Sequence, residues 1–119
     1  MAVFAYRKLN VYQKALSWVA DVYGVCKNFP EEERFALTSQ VRRAAVSVTS
    51  NIAEGMSRSS NKEIVRFLEI SYGSLMEVQS QLEVARLLNY ITKEKLNEID
   101  PKTEEIAKML SGLKTAKKQ

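Results

Sequence analysis

The chain has no histidine, one cysteine, two prolines and four glycines among its 119 residues, and each shortage closes off a class of protein. Without histidine it lacks the commonest general base and the commonest transition-metal ligand, and with them the Glu-x-x-His pairs of di-iron helix bundles. A metalloenzyme or a triad hydrolase is not expected, and no cofactor is called for; the chain reads as a non-enzyme. The lone Cys26 cannot close an internal disulfide, and its helical apolar position makes it a small buried hydrophobe. Few glycines and prolines, with no strand-like alternation, argue against a turn-rich β architecture and for long helices. No apolar run approaches the length that spans a bilayer, and MAVFAYRKLNVYQKA shows no leader-like apolar stretch, so the expectation is a cytoplasmic protein without a membrane partner.

What is present is 45% hydrophobic and 27% charged residues, a globular balance over a length that suits one domain, 1–119. Four helical patterns follow one another, at about 11–29, 33–56, 61–89 and 93–115, which makes the fold class all-α and the architecture a four-helix bundle. In the first, Tyr12, Ala15, Leu16, Val19, Tyr23 and Cys26 form the expected core stripe, stopped by Pro30. Val11, Trp18 and Val25 make a second stripe at seven-residue spacing, more than one core can readily use, and are candidates for an oligomer interface.

The second pattern buries Leu37, Val41, Ala44, Val48 and Ile52, with the acids Glu31, Glu32 and Glu33 near its positive end. Ser60-Asn-Lys-Glu63 has the form of a capping box, so the third helix should start near Asn61 and bury Ile64, Phe67, Leu68, Ser71, Leu75, Val78, Leu82 and Ala85. Thr92 is the expected N-cap of the fourth, whose stripe is Leu96, Ile99, Thr103, Ile106, Leu110 and Leu113. Pro101 should kink it around Asn97–Pro101 or break it, with Asp100 capping a new helix, and the tail after Gly112 should fray.

A polar row, Gln40, Arg43, Ser47, Asn51 and Glu54, lies beside the apolar arc of the second helix. If helices two and three form a hairpin turning near residues 59 and 60, facing residues have numbers summing to about 120. Arg43 then faces Glu77, Ser47 faces Gly73, and Gln40 faces Ser80 and Gln81, while Ser74, Glu77 and Gln81 edge the third helix's apolar face. The expectation is a structural polar network of these residues, with an Arg43–Glu77 ion pair and a close backbone approach at Gly73.

At these residues the chain resembles the four-helix-bundle proteins related to the 23S rRNA intervening-sequence protein. The pieces are LNVYQKA at residues 9–15, Phe29-Pro30, the run QVRRAAVSVTSNIAEGMSR from Gln40 to Arg58, the run from Lys62 to Leu82 with RFLEIS and GSLMEV, and KMLSGL at residues 108–113. Asp100-Pro101 departs from the pattern, which has an unbroken helix there. The resemblance implies an antiparallel up-down-up-down bundle that assembles as a ring, commonly a homopentamer. It also implies kinship with basic pentamers that contact nucleic acid.

Net charge is +4, carried as about +3 in residues 1–30, zero in 31–58, −1 in 59–91 and +2 in 92–119. Five copies would hold about +20, which makes RNA or another nucleic acid the expected partner beside the chain itself. The binding candidates are Lys114, Lys117 and Lys118 in the tail, with Arg58 and with Arg42, which lies roughly opposite the core arc. The alternative is a protein-interaction scaffold whose contacts are the Trp18 stripe and the small row Ser39, Val46 and Ala53.

Overall fold

Ser60 Oγ accepts the Glu63 amide at 3.2 Å, closing the cap that starts a helix at Asn61. In the computed structural model, which describes residues 3–118, that helix is one of four: α1 (Asn10–Cys26), α2 (Leu37–Met56), α3 (Asn61–Leu87) and α4 (Lys93–Lys118). Two 3-10 turns, Ala5–Lys8 and Glu31–Glu33, precede α1 and α2, and no strand occurs among the described residues.

Each boundary has a local cause. Thr92 Oγ1 accepts the Lys95 amide at 3.1 Å and starts α4. α3 ends at Leu87, and two residues on Asn89, with a φ of 63°, takes the left-handed conformation; Tyr90 N then donates to Ala85 O at 2.8 Å and Asn89 N to Arg86 O at 3.1 Å, the paired bonds of a Schellman ending. α2 begins at Leu37, four residues later than its pattern suggests, because the three glutamates wind into a 3-10 turn instead. Glu33 nevertheless serves that helix: its Oε1 accepts the Leu37 amide at 3.3 Å, and its Oε2 accepts the Tyr90 hydroxyl at 2.8 Å. One carboxylate thus ties the start of α2 to the α3–α4 connection. The same bond raises the Tyr90 phenol above its ordinary value. α4 passes through Pro101 without breaking at Asp100, and it continues to Lys118 instead of fraying after Gly112. Asn97, whose carbonyl loses its usual donor at Pro101, is exposed to water. Gln119, the last residue of that tail, lies outside the described residues.

Facing residues fix the register. Ser47 and Ser74 hydroxyls meet at 2.8 Å and Ser71 Oγ donates to Val48 O at 2.8 Å, so α2 and α3 pair with numbers summing close to 120. Trp18 Nε1 donates to Thr103 Oγ1 at 2.9 Å, and Lys14–Glu105 (3.1 Å) and Lys102–Asp21 (2.6 Å) join α1 to α4. Gln79–Asp100 and Lys114–Glu69 join α3 to α4. In every pair the numbers fall along one helix as they rise along the other. The resulting body measures 45 × 24 × 20 Å.

The stripes of α3 and α4 are buried as their periodicity indicates, with Phe67, Leu96 and Leu113 at the margins. α1 is rotated from the expected phase. Val11, Trp18 and Val25 are buried with Ala15 and Val22 inside the chain's own core, Trp18 at 1% exposure, while Leu16 is 42% exposed and Tyr12, Val19 and Tyr23 sit at the edges. The stripe read as an oligomer interface is therefore the true core stripe: its i, i+4, i+7 spacing closes on itself, and the bulk of Trp18 fills the space between α1 and α4. The glycine expectation also moves. A Cβ added to Gly73 would have nothing within 4 Å, whereas one added to Gly55 would stand 2.6 Å from Phe67 Cβ, so Gly55 is where α2 and α3 come together.

Candidate nucleic-acid interface

The pairings put residues 3–14, 54–69 and 108–118 in one half of the bundle. Those segments hold ten Lys and Arg against three Glu, a net +7, and the remaining segments hold eight against eleven. The small net charge thus conceals a strong separation along the molecule. At the basic end, the beginning of α3 and the last turns of α4 form a groove of about 550 Å³ lined by Asn61, Lys62, Val65, Arg66, Lys117 and Lys118, with Glu63 and Glu69. Lys62, Arg66, Lys117 and Lys118 make no ion pair among the described residues, and the groove opens beside the amide-rich start of α3.

The sequence candidates divide on this map. Lys117 and Lys118 line the groove. Lys114 stands nearby, engaged by Glu69 at 3.7 Å. Arg58 belongs to the same end but is held twice, by Glu54 at 2.8 Å and by the Phe67 ring 4.8 Å beneath its Cζ. Arg42 does not point away from the core arc. It is half-buried over the Tyr23 ring at 5.1 Å, its Nε is shielded and unpartnered, and it lines a separate small cavity of about 180 Å³ with Cys26, Arg34 and Thr38. Position 42 faces the flank of α2 that packs on α1, so its side chain is recruited there. Lys62 and Arg66 were missed because nothing in local periodicity brings the start of α3 to the end of α4.

The polar row closes in its middle alone. Asn51 Nδ2 donates to Ser47 O at 2.8 Å and to Ser47 Oγ at 3.0 Å, and Ser47 meets Ser74. Gln40, Arg43, Glu54 and Glu77 are exposed, Glu54 pairing with Arg58. Among the described residues Arg43 and Glu77 form no ion pair, and Glu77 accepts from Gln81 Nε2 at 3.2 Å instead. The register is right, but both positions lie on the outer flanks of their helices, where long side chains extend into water. The buried polar link between α2 and α3 is Ser71 on the Val48 carbonyl.

Cys26 sits at the opposite end, 2% exposed. Burial pushes its thiol up to about 11 from an ordinary 9.0, with the Arg42 cation pulling the other way. Because the unfolded chain releases that proton first, stability should fall as pH rises from about 9 through 11, by about 2 kcal/mol. Urea unfolding of the wild type and of Cys26→Ala at about pH 8 and pH 11 measures this. Equal losses in both proteins would show that the thiol is not the cause.

Among the described residues no group of three or more His, Cys, Asp or Glu side chains could hold a metal ion, and no helix is long and apolar enough to cross a membrane. Residues 7–112 match the profile of the 23S rRNA-intervening sequence protein family. The chain belongs to that family. The fold agrees: a crystal structure of a protein with unknown function from the S23 ribosomal protein family of Bacteroides thetaiotaomicron is similar to it, with a TM-score of 0.80 and 26% identity over 87% of this chain and 96% of its own. No curated protein matches the chain. The family therefore accounts for the helices and says nothing of a reaction, so function has to be argued from the surface.

Proposed function

We propose that this family member is a non-enzymatic, self-associating bundle of antiparallel up-down-up-down helices whose basic end holds RNA or another nucleic acid by its phosphates. The observation that carries the reading is the convergence of Lys62, Arg66, Lys117 and Lys118 on one groove, free of ion pairs among the described residues, in a half of net +7. Such contacts neutralise phosphates without reading bases, so binding is indifferent to sequence and steep in salt. A ring of five copies, the assembly that the sequence resemblance implies, would multiply this charge.

Replacing the four residues by Gln should lower affinity for unrelated RNAs by similar factors and flatten the slope of log K against log salt by about 3, at roughly 0.7–0.9 per phosphate contact. Fluorescence anisotropy at low and physiological salt measures both. A wild-type protein that binds nothing at low salt would remove the reading.

The scaffold alternative has its own support on the α2–α3 face. Ile70, Val84 and Leu88 are each more than 40% exposed there, Arg43 and Glu77 form no ion pair among the described residues, and Gly73 leaves open space in the middle of a helix. A mid-helix glycine costs about 1 kcal/mol against alanine and here has no reason within the chain. With the α1 stripe spent on the core, this face, together with the small row Ser39, Val46 and Ala53, is the better seat for a second copy. Val84→Glu should lower the mass by light scattering while leaving helix content intact. A wild-type mass of one chain would rule out self-association.

A further inference from the structure

The 3-10 turn before α1 carries chemistry that phosphate binding does not use. Phe4 is 50% exposed, and the Arg7 guanidinium lies over its ring at 4.3 Å. The Phe4 ring stands at 82° to that of Tyr6 (centroids 6.3 Å apart), and Tyr6 at 80° to Tyr12 (5.0 Å). The turn is built, not loose: Arg7 N donates to Phe4 O at 3.1 Å, Leu9 N to Tyr6 O at 3.1 Å, and Gln13 Nε2 to Arg7 O at 2.6 Å. It packs on α1 and α2. Because Lys14 bonds Glu105, with α4 running on to Lys118 from there, the turn stands at the same end of the bundle as the basic groove.

A half-exposed phenylalanine covered on one face by an arginine gains little inside the chain, yet the exposed guanidinium and the uncovered part of the ring offer flat surfaces on which another flat ring stacks. Nucleobases present such rings when they are unpaired. In a duplex their faces are already covered by neighbouring bases, and only phosphates and groove edges remain. Lys8 follows Arg7 in the turn, and the groove cations stand at the same end of the bundle on the α3–α4 side, so a strand laid across that end would meet phosphate partners beyond the cluster.

We propose that the Phe4, Tyr6, Arg7 and Tyr12 cluster is a base-stacking platform, so that the basic end selects single-stranded nucleic acid over duplex. The proposal rests on the nucleic-acid reading above and adds to it the form of the ligand.

The test uses three probes in fluorescence anisotropy: an RNA strand of about 12 nucleotides, within the range of single-strand sites, the same strand annealed to its complement, and an abasic strand of equal length. The wild-type protein should favour the intact strand over both others by about tenfold. Phe4→Ala should remove that preference while leaving duplex affinity and the salt slope as they were, and Phe4→Trp should restore it. Thermal melting of both variants checks that the bundle is unchanged. Equal binding of the intact and abasic strands, or a Phe4→Ala variant with undiminished preference, would overturn the platform and leave the groove reading standing. A wild-type protein that binds none of the probes at low salt would overturn both.

Discussion

Trp18→Ala is expected to cost about 4 kcal/mol of folding stability and to leave no folded protein with altered assembly. The indole is 1% exposed and packed between α1 and α4, where its Nε1 donates to Thr103 Oγ1 at 2.9 Å. Deleting a large core aromatic costs about 3–5 kcal/mol, from lost burial and from the cavity left behind. The Thr103 hydroxyl keeps a second partner, donating to the Ile99 carbonyl at 3.3 Å, so the loss is one of packing more than of an orphaned polar group. Urea unfolding followed by far-UV circular dichroism measures it, with Leu16→Ala as an exposed control expected within about 0.5 kcal/mol of wild type. A Trp18→Ala protein with wild-type stability and reduced mass would return the residue to a subunit interface.

The second large effect is at Gly55. A Cβ there would meet Phe67 Cβ at 2.6 Å, and because Phe67 Cβ is fixed to its own backbone, relief requires α2 and α3 to move apart. Overpacking of this kind costs about 2–3 kcal/mol even after alanine's better helix propensity is counted. Gly24→Ala supplies the contrast, since nothing lies within 4 Å of its added carbon and the same propensity should stabilise the fold by about 0.5–1 kcal/mol. Thermal melts of the two variants should therefore move in opposite directions. A shared direction would mean that the α2–α3 approach at Gly55 is not tight.

Much of this could be read from residue order because the signals are local. Ser60 and Thr92 bond the amides their spacing predicts, and the α3 and α4 stripes have a single possible phase. The α2–α3 register followed from the position of the turn. α1 was harder, since Tyr12, Val19 and Tyr23 compete with Val11, Trp18 and Val25 for the inward side. The winner was decided by Thr103, a partner far along the chain. Arg43 and Glu77 show that the right register does not imply contact when both positions face outward. The basic groove was half legible: Lys117 and Lys118 declare themselves as a charged tail, but Lys62 and Arg66 join them only through the packing of α3 on α4.

The separation of charge between the two halves has a kinetic meaning. A body about 45 Å long with net +7 at one end and −3 at the other is an electric dipole, and the field of any approaching polyanion exerts a torque on it before the two touch. Encounters begin with the basic end already turned forward. Salt should consequently slow the arrival of such a ligand more than it hastens its departure, because screening removes the long-range alignment first and the close contacts last.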